Sequence, residues 1–96
     1  MKIEFDKSFE KSLRRIHNPI IFRRLKRIII QIENCPSLSE LPNIKKLTGF
    51  SSYYRIRIGD YRVGFEFIDN STIRFIVIAH RKDIYNIFPV ALRINC

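Results

Sequence analysis

Hydrophobic and polar positions change period twice along this chain. Met1 to Phe5 alternates weakly, with Ile3 and Phe5 on one side, which predicts a short strand. From Phe9 the spacing lengthens. Phe9, Leu13 and Ile16 recur at helical intervals, with Asp6 or Ser8 placed to cap the start. Asn18-Pro19 ends that helix, because a residue before proline avoids the α region. A second helix is predicted from about Ile20 to Asn34, where Ile21, Leu25, Ile28 and Ile32 form a stripe widened by Phe22 and Ile29. Arg23, Arg24, Lys26 and Arg27 lie off the centre of that stripe and read as a solvated face. Cys35-Pro36 ends the helix, and Pro36 to Gly49 reads as an irregular connection anchored by Leu38, Leu41 and Leu47. Beyond Gly49 the period shortens to two, the mark of strands. Two helices with apolar sides, followed by strands, predict an α+β domain with an αα-hairpin packed on one face of a mainly antiparallel sheet.

The segment YYRIRIGDYRVGFEF, residues 53–67, reads as a hairpin. Gly59-Asp60 fits a two-residue turn whose first position needs positive φ. That turn sets Ile58 opposite Tyr61, Arg57 opposite Arg62, Ile56 opposite Val63, Arg55 opposite Gly64 and Tyr54 opposite Phe65. Because side chains alternate along a strand, one face carries Tyr54, Ile56, Ile58, Tyr61, Val63 and Phe65 and is core. The other carries Tyr53, Arg55, Arg57, Arg62, Gly64 and Glu66. Like charges directly opposite one another destabilise a sheet. Folding therefore gains nothing from Arg57 facing Arg62, and an anionic ligand would account for the pair. No further helix is predicted to cover these arginines, and Gly64 leaves floor space where a ligand can approach.

A third strand, about Thr72 to Ala79, follows a turn through Asn70-Ser71. Continuous pairing from that turn puts Ile76 and Ile78 in the core beside Phe65 and Val63. Phe75, Val77 and Ala79 then share the arginine face, and Arg81 keeps their parity past the strand end. A one-residue slip inverts this assignment. His80 sits at the strand end, where side chains become available for chemistry.

Charge gives this face its meaning. Eighteen Lys and Arg against nine Asp and Glu leave the 96-residue chain at +9, with a pI near 10.1. Such a chain seeks polyanions, and binding that neutralises several phosphates weakens steeply with salt. A length of 96 residues fits one domain spanning 1–96. A hydrophobic content of 46% makes a core feasible, and no apolar run approaches the roughly 20 residues a bilayer span needs. MKIEFDKSFEKSLRR has no apolar stretch of the secretory kind, so a cytoplasmic protein is expected. Cys35 and Cys96 read as reduced thiols, and two isolated cysteines do not make a zinc site.

LTGFSSYYRIRIGDYRVGFEF, followed one strand later by AHRKDIY, resembles the RelE/ParE superfamily of toxins from toxin–antitoxin modules. The likeness runs over nearly the whole chain: the αα-hairpin, then L-x-G, then Y-R-I-R-x-G-D-Y-R-V, then H-R-x-D-x-Y. It implies a small β-α-α-β-β-β domain. RelE-like members bind in the ribosomal A site and cut mRNA without a metal ion or other cofactor. The ribose 2′-OH attacks the adjacent phosphate, leaving a 2′,3′-cyclic phosphate and a free 5′-OH. The implied partners are the ribosome, mRNA and an acidic cognate antitoxin, with no membrane and no small-molecule cofactor. The ParE branch shares the fold but poisons DNA gyrase, which is the alternative reading; a toxin-fold binding module without activity is a third.

By the same resemblance the strand basic pair falls on Arg55 and Arg57, the next strand's arginine on Arg62, and the later arginine and tyrosine on Arg81 and Tyr85. Some relatives carry lysines where Arg55 and Arg57 stand. Arginine is effectively never deprotonated, so these two residues are expected to orient the phosphate and stabilise its charge. His80 is then the candidate base. Tyr85 is expected to donate to the 5′-oxygen leaving group or to stack on a base, and Tyr53 to stack alongside Arg55, Arg57, Arg62 and Arg81 in binding RNA. Glu66 is a second candidate base or a partner for one of the arginines.

Overall fold

A computed structural model of the chain describes residues 1–36, 44–47 and 52–88. Its elements are β1 (Lys2–Phe5), α1 (Lys7–Arg14), α2 (Pro19–Glu33), β2 (Ile44–Lys46), β3 (Tyr53–Ile58), β4 (Tyr61–Asp69), β5 (Thr72–His80) and α3 (Ile84–Ile87). Both long helices start where the chain supplies a cap. The Asp6 carboxylate accepts from the Ser8 backbone N–H at 3.1 Å and the Ser8 hydroxyl at 2.6 Å. Those bonds hold its pKa below the ordinary carboxylate value. Asn18 Oδ1 accepts from the N–H groups of Ile20 and Ile21, at 3.0 and 3.3 Å. Pro19 takes the first helical position, where a missing N–H costs nothing. The Asn-Pro pair therefore starts α2, whereas α1 has already ended at Arg14 with Arg15 as its C-cap.

The five strands form one sheet in the order β1-β5-β4-β3-β2. β1 runs parallel to β5 and every other neighbouring pair is antiparallel. The main core lies between one sheet face and the two helices. Phe9 and Ile16, with Ile21, Leu25 and Ile32 of α2, meet Ile56, Ile58, Val63, Phe65, Ile73, Phe75 and Ile78. Phe9 and Phe75 approach edge to face at 5.3 Å, and Tyr54 stacks on Phe65 at 5.4 Å. Among the described residues no helix is long and apolar enough to cross a membrane.

The β3–β4 hairpin forms in the register expected of a Gly-Asp turn. Gly59 has φ of 59°, and Ile58 pairs with Tyr61, Arg57 with Arg62 and Arg55 with Gly64. The β4–β5 pairing departs from continuous alternation at two places. Asp69 pairs with Thr72 as the turn requires, but Phe67 then pairs with Ile73, Phe65 with Phe75, and Gly64 with Val77. The register slips by one at Ile68 and recovers at Ile76. Phe75 is therefore in the main core and Ile76 on the opposite side, the reverse of the expectation, while Ile78, Val77 and Ala79 fall where expected. Packing explains the pair of slips. An uninterrupted register would turn Arg74 toward the helices and Phe75 away. With both slips, Ile73 and Phe75 are fully buried. Arg74 instead meets Glu4 of β1 at 2.9 Å on the other face.

Two further elements were not anticipated. Ile44–Lys46, inside the stretch read as irregular, forms the edge strand β2 against β3. The short helix α3 covers part of the arginine face, where Val77, Ile84 and Phe88 are buried with Leu47, Tyr53 and Ile76 packed around them. Leu38, Leu41, Cys96 and the tail after Phe88 lie outside the described residues.

Candidate phosphate-binding site

At the hairpin-tip end, the face opposite α1 and α2 is cationic. Arg57 and Arg62 stand directly across from each other, and Arg55 stands one row behind on the same side. Arg62 is tied down by its own turn: Nη1 donates to the Gly59 carbonyl at 3.0 Å and the Tyr61 carbonyl at 2.9 Å. The Arg81 backbone N–H donates to Asp60 O at 2.8 Å, which fastens the start of the C-terminal segment to the hairpin tip. Crowding of like charge leaves a mark on Arg62. Burial lowers its pKa first, and the charges of Arg57, Arg55 and Arg81 lower it further, with Tyr85 opposing. Among the described residues the one ion pair is Arg74–Glu4, so no carboxylate lies within 4.0 Å of these four guanidinium groups. The arrangement suits an anion that accepts several charge-assisted hydrogen bonds at once, as a phosphate does.

Tyr85, on α3, joins this cluster. The Arg55 guanidinium carbon stands 4.5 Å from the centre of its ring. Arg55 lowers the phenol's pKa below the ordinary tyrosine value, by hydrogen bonding first and by its charge second. Lys45 and Arg62 add to the effect, and burial opposes it. The side chain is 70% exposed, so the phenol is open to a ligand from solvent. Lys45 is the residue that reading the sequence missed. It lies on β2 directly across from Arg55, hence on the same face. Three residues of IKK are too few to display a period of two, so no pattern in the sequence exposes this strand.

Two expectations change, at Gly64 and Tyr53. His80 keeps the parity read from the sequence: it pairs with Tyr61 on the helix-covered side, apart from the arginines, and the two rings meet edge to face at 5.6 Å. Its Nδ1 accepts the Lys82 N–H at 3.2 Å. Ala79, opposite Arg62, takes the arginine side, and the charge of Arg81 acts on Arg62 from just past the strand end. Gly64 does not leave a ligand floor, because a Cβ there would sit 2.6 Å from the Phe88 ring. That ring fills the space. Tyr53 packs edge to face on Phe88 at 5.5 Å and belongs to the second apolar cluster rather than to the open arginine patch. Glu66 lies across from Tyr53 and Arg74, away from the tip, and its charge acts on Arg74.

A cleft of about 1000 Å³ runs along β5 between α1 and α3, and Ser12, Arg15, Tyr61, His80 and Asp83 are among the residues lining it. None of Arg55, Arg57, Arg62 and Arg81 lines it, so cavity size and cationic chemistry point to different places. A small anion needs converging donors more than volume, which favours the arginines. Among the described residues no three His, Cys, Asp or Glu side chains converge as metal ligands.

Comparison with known proteins identifies the family. Residues 3–85 match the family described as the ParE toxin of the type II toxin–antitoxin system parDE. The chain belongs to the RelE/ParE superfamily of toxins. It is 44% identical over 90 residues to toxin RelE3 of Methanocaldococcus jannaschii, covering 93% of this chain and 100% of that one. Its fold matches the RelB–RelE antitoxin–toxin complex from Methanococcus jannaschii with a TM-score of 0.75 and 42% identity, over 90% of this chain and 99% of the other. The archaeal RelE–RelB complex from Pyrococcus horikoshii gives 0.66 and 25%, over 83% and 93%. The family match ends at Tyr85, so it takes in the hairpin, the four arginines and the tyrosine. As a superfamily toxin, the chain carries its least explained charges on the side of the sheet that α1 and α2 leave uncovered.

Proposed function

We propose that this toxin is a ribosome-dependent endoribonuclease that cleaves mRNA in the ribosomal A site and so inhibits translation. What carries the reading is the contact of Tyr85 with Arg55 beside three further arginines that have no carboxylate partner among the described residues. Arg57, Arg62 and Arg81 bind the scissile phosphate and stabilise the charge that grows on its oxygens as the ribose 2′-OH attacks. Arg55 holds Tyr85 and favours its phenolate. The phenolate takes the 2′-OH proton, a role that falls to Tyr85 because His80 faces the other side of the sheet. The products are a 2′,3′-cyclic phosphate and a 5′-OH, with no metal ion in the reaction.

The likeness to RelE toxins that are named with RelB antitoxins supports an antitoxin partner for this chain. The exposed arginines favour an acidic segment in that partner, one that folds as it binds. Mapping mRNA ends by primer extension after induced expression, and repeating the cut with purified ribosomes, tests the activity. Uncut, ribosome-bound mRNA would overturn the reading. The family description favours a second one: a ParE-type toxin that inhibits DNA gyrase without nuclease activity. Under that reading induction raises a DNA-damage response, and message stays intact.

A further inference from the structure

Transfer of the 2′-OH proton to Tyr85 settles half of the proton traffic, and the departing 5′-oxygen still needs a proton. None of the four arginines can deliver it, since a guanidinium in a protein effectively never gives up a proton. His80 is turned to the far side of the sheet with Nδ1 already accepting a hydrogen bond. Tyr85 is committed to the other end of the reaction.

β2 supplies what is missing. Ile44 opposite Ile56 and Lys46 opposite Tyr54 lie on the core side, while Lys45 opposite Arg55 lies on the arginine side. The facing of this strand agrees with its neighbour: Leu47, two residues on from Lys45, packs against the apolar cluster of Val77, Ile84 and Phe88 on the same face. Lys45 is exposed. Among the described residues it has no carboxylate within 4.0 Å that would hold it elsewhere. We propose that Lys45 is the general acid that protonates the 5′-oxygen leaving group. Its ammonium carries a transferable proton where a guanidinium does not. It stands across from Arg55, whose guanidinium lies 4.5 Å from the centre of the Tyr85 ring, so the two groups share one side of the sheet.

The inference rests on the endoribonuclease reading and completes its balance. The 2′-O–H bond breaks and its proton passes to Tyr85 as the 2′-O–P bond forms. The P–O5′ bond then breaks with its electron pair going to the 5′-oxygen, and Lys45 supplies the proton there. No oxidant, reductant or further reactant enters. Tyr85 and Lys45 return to their starting states by proton exchange with water.

The test is single-turnover cleavage of ribosome-bound mRNA by the wild type, Lys45→Ala and Lys45→Arg, on messages with either a 5′-oxygen or a 5′-sulfur at the scissile bond. Thiolate leaves without protonation. General acids contribute about 10²- to 10⁴-fold, so both variants are expected to lose at least about 100-fold on the oxygen substrate. On the sulfur substrate both are expected within a few-fold of the wild type. If Lys45→Arg keeps nearly full activity on oxygen, charge alone suffices and the assignment falls. Equal losses on both substrates overturn it too. A wild type that cuts neither message instead brings down the endoribonuclease reading, and this inference with it. Circular dichroism of each variant checks that the edge strand substitution leaves the fold intact.

Discussion

The two faces of the sheet are built from the same strands and hold opposite chemistry. Toward α1 and α2 the strands present Ile56, Ile58, Val63, Phe65, Ile73, Phe75 and Ile78, all buried within one cluster. The other face divides in two. Near its centre Val77, Ile84 and Phe88 make a small second cluster beneath α3, and at the hairpin tip the arginines stand open with Tyr85 and Lys45. The covered face is explained by packing alone. The tip of the other face is not, since like charges placed opposite one another weaken a sheet, and the account proposed for it is an anionic ligand.

That contrast can be broken from either side. The largest effect is expected from Phe75→Ala, which empties a fully buried site between Phe5 and Phe9. It should cost about 3–5 kcal/mol in urea unfolding, a large share of a small domain's stability. Arg62→Ala should do the reverse. Cleavage of ribosome-bound mRNA should fall about 10²- to 10³-fold, as when one transition-state donor is lost. Its unfolding midpoint should hold or rise, because a crowded like charge is removed; a clear drop in stability would make Arg62 structural. Gly64→Ala probes the border between cluster and patch. The added methyl runs into Phe88 and should destabilise by about 1–3 kcal/mol, while phosphate binding by the arginines persists.

The smallest change is a shift along the pH axis. If Tyr85 works as a phenolate, the cleavage rate rises with pH through its pKa. Arg55 holds that pKa below the ordinary tyrosine value. Arg55→Ala should therefore move the rising limb to higher pH, by letting the phenol return toward its usual value. A rate profile that stays in place would remove Tyr85 from the base role.

Much of this was legible along the chain, wherever the deciding interactions are local. The Gly59-Asp60 turn sets the register of β3 on β4, and with it which arginines stand opposite one another. The two long helices announced themselves by their apolar spacing, and α1 by its cap as well. What sequence pattern missed are contacts between segments far apart. Phe75 was expected on the arginine side, yet the slips in the β4–β5 pairing turn it into the core. Gly64 read as open floor because nothing near it in sequence reveals that Phe88 returns to fill the space. Lys45 lay hidden in a three-residue strand that exists only because β3 offers it an edge.

Taken by itself, the sequence determined the two amphipathic helices and the strands of the hairpin, its register, the net charge and the gathering of Arg55, Arg57 and Arg62 on one face. Those properties follow from backbone geometry over a few residues, where alternation and turn chemistry leave little choice. Only the tertiary structure decided the two compensating slips between β4 and β5, the cover that α3 and Phe88 lay over part of the second face, and the company of Tyr85 and Lys45. A slip becomes favourable when it buries Phe75 and frees Arg74, and that balance exists only once β1 and the helices have met the sheet.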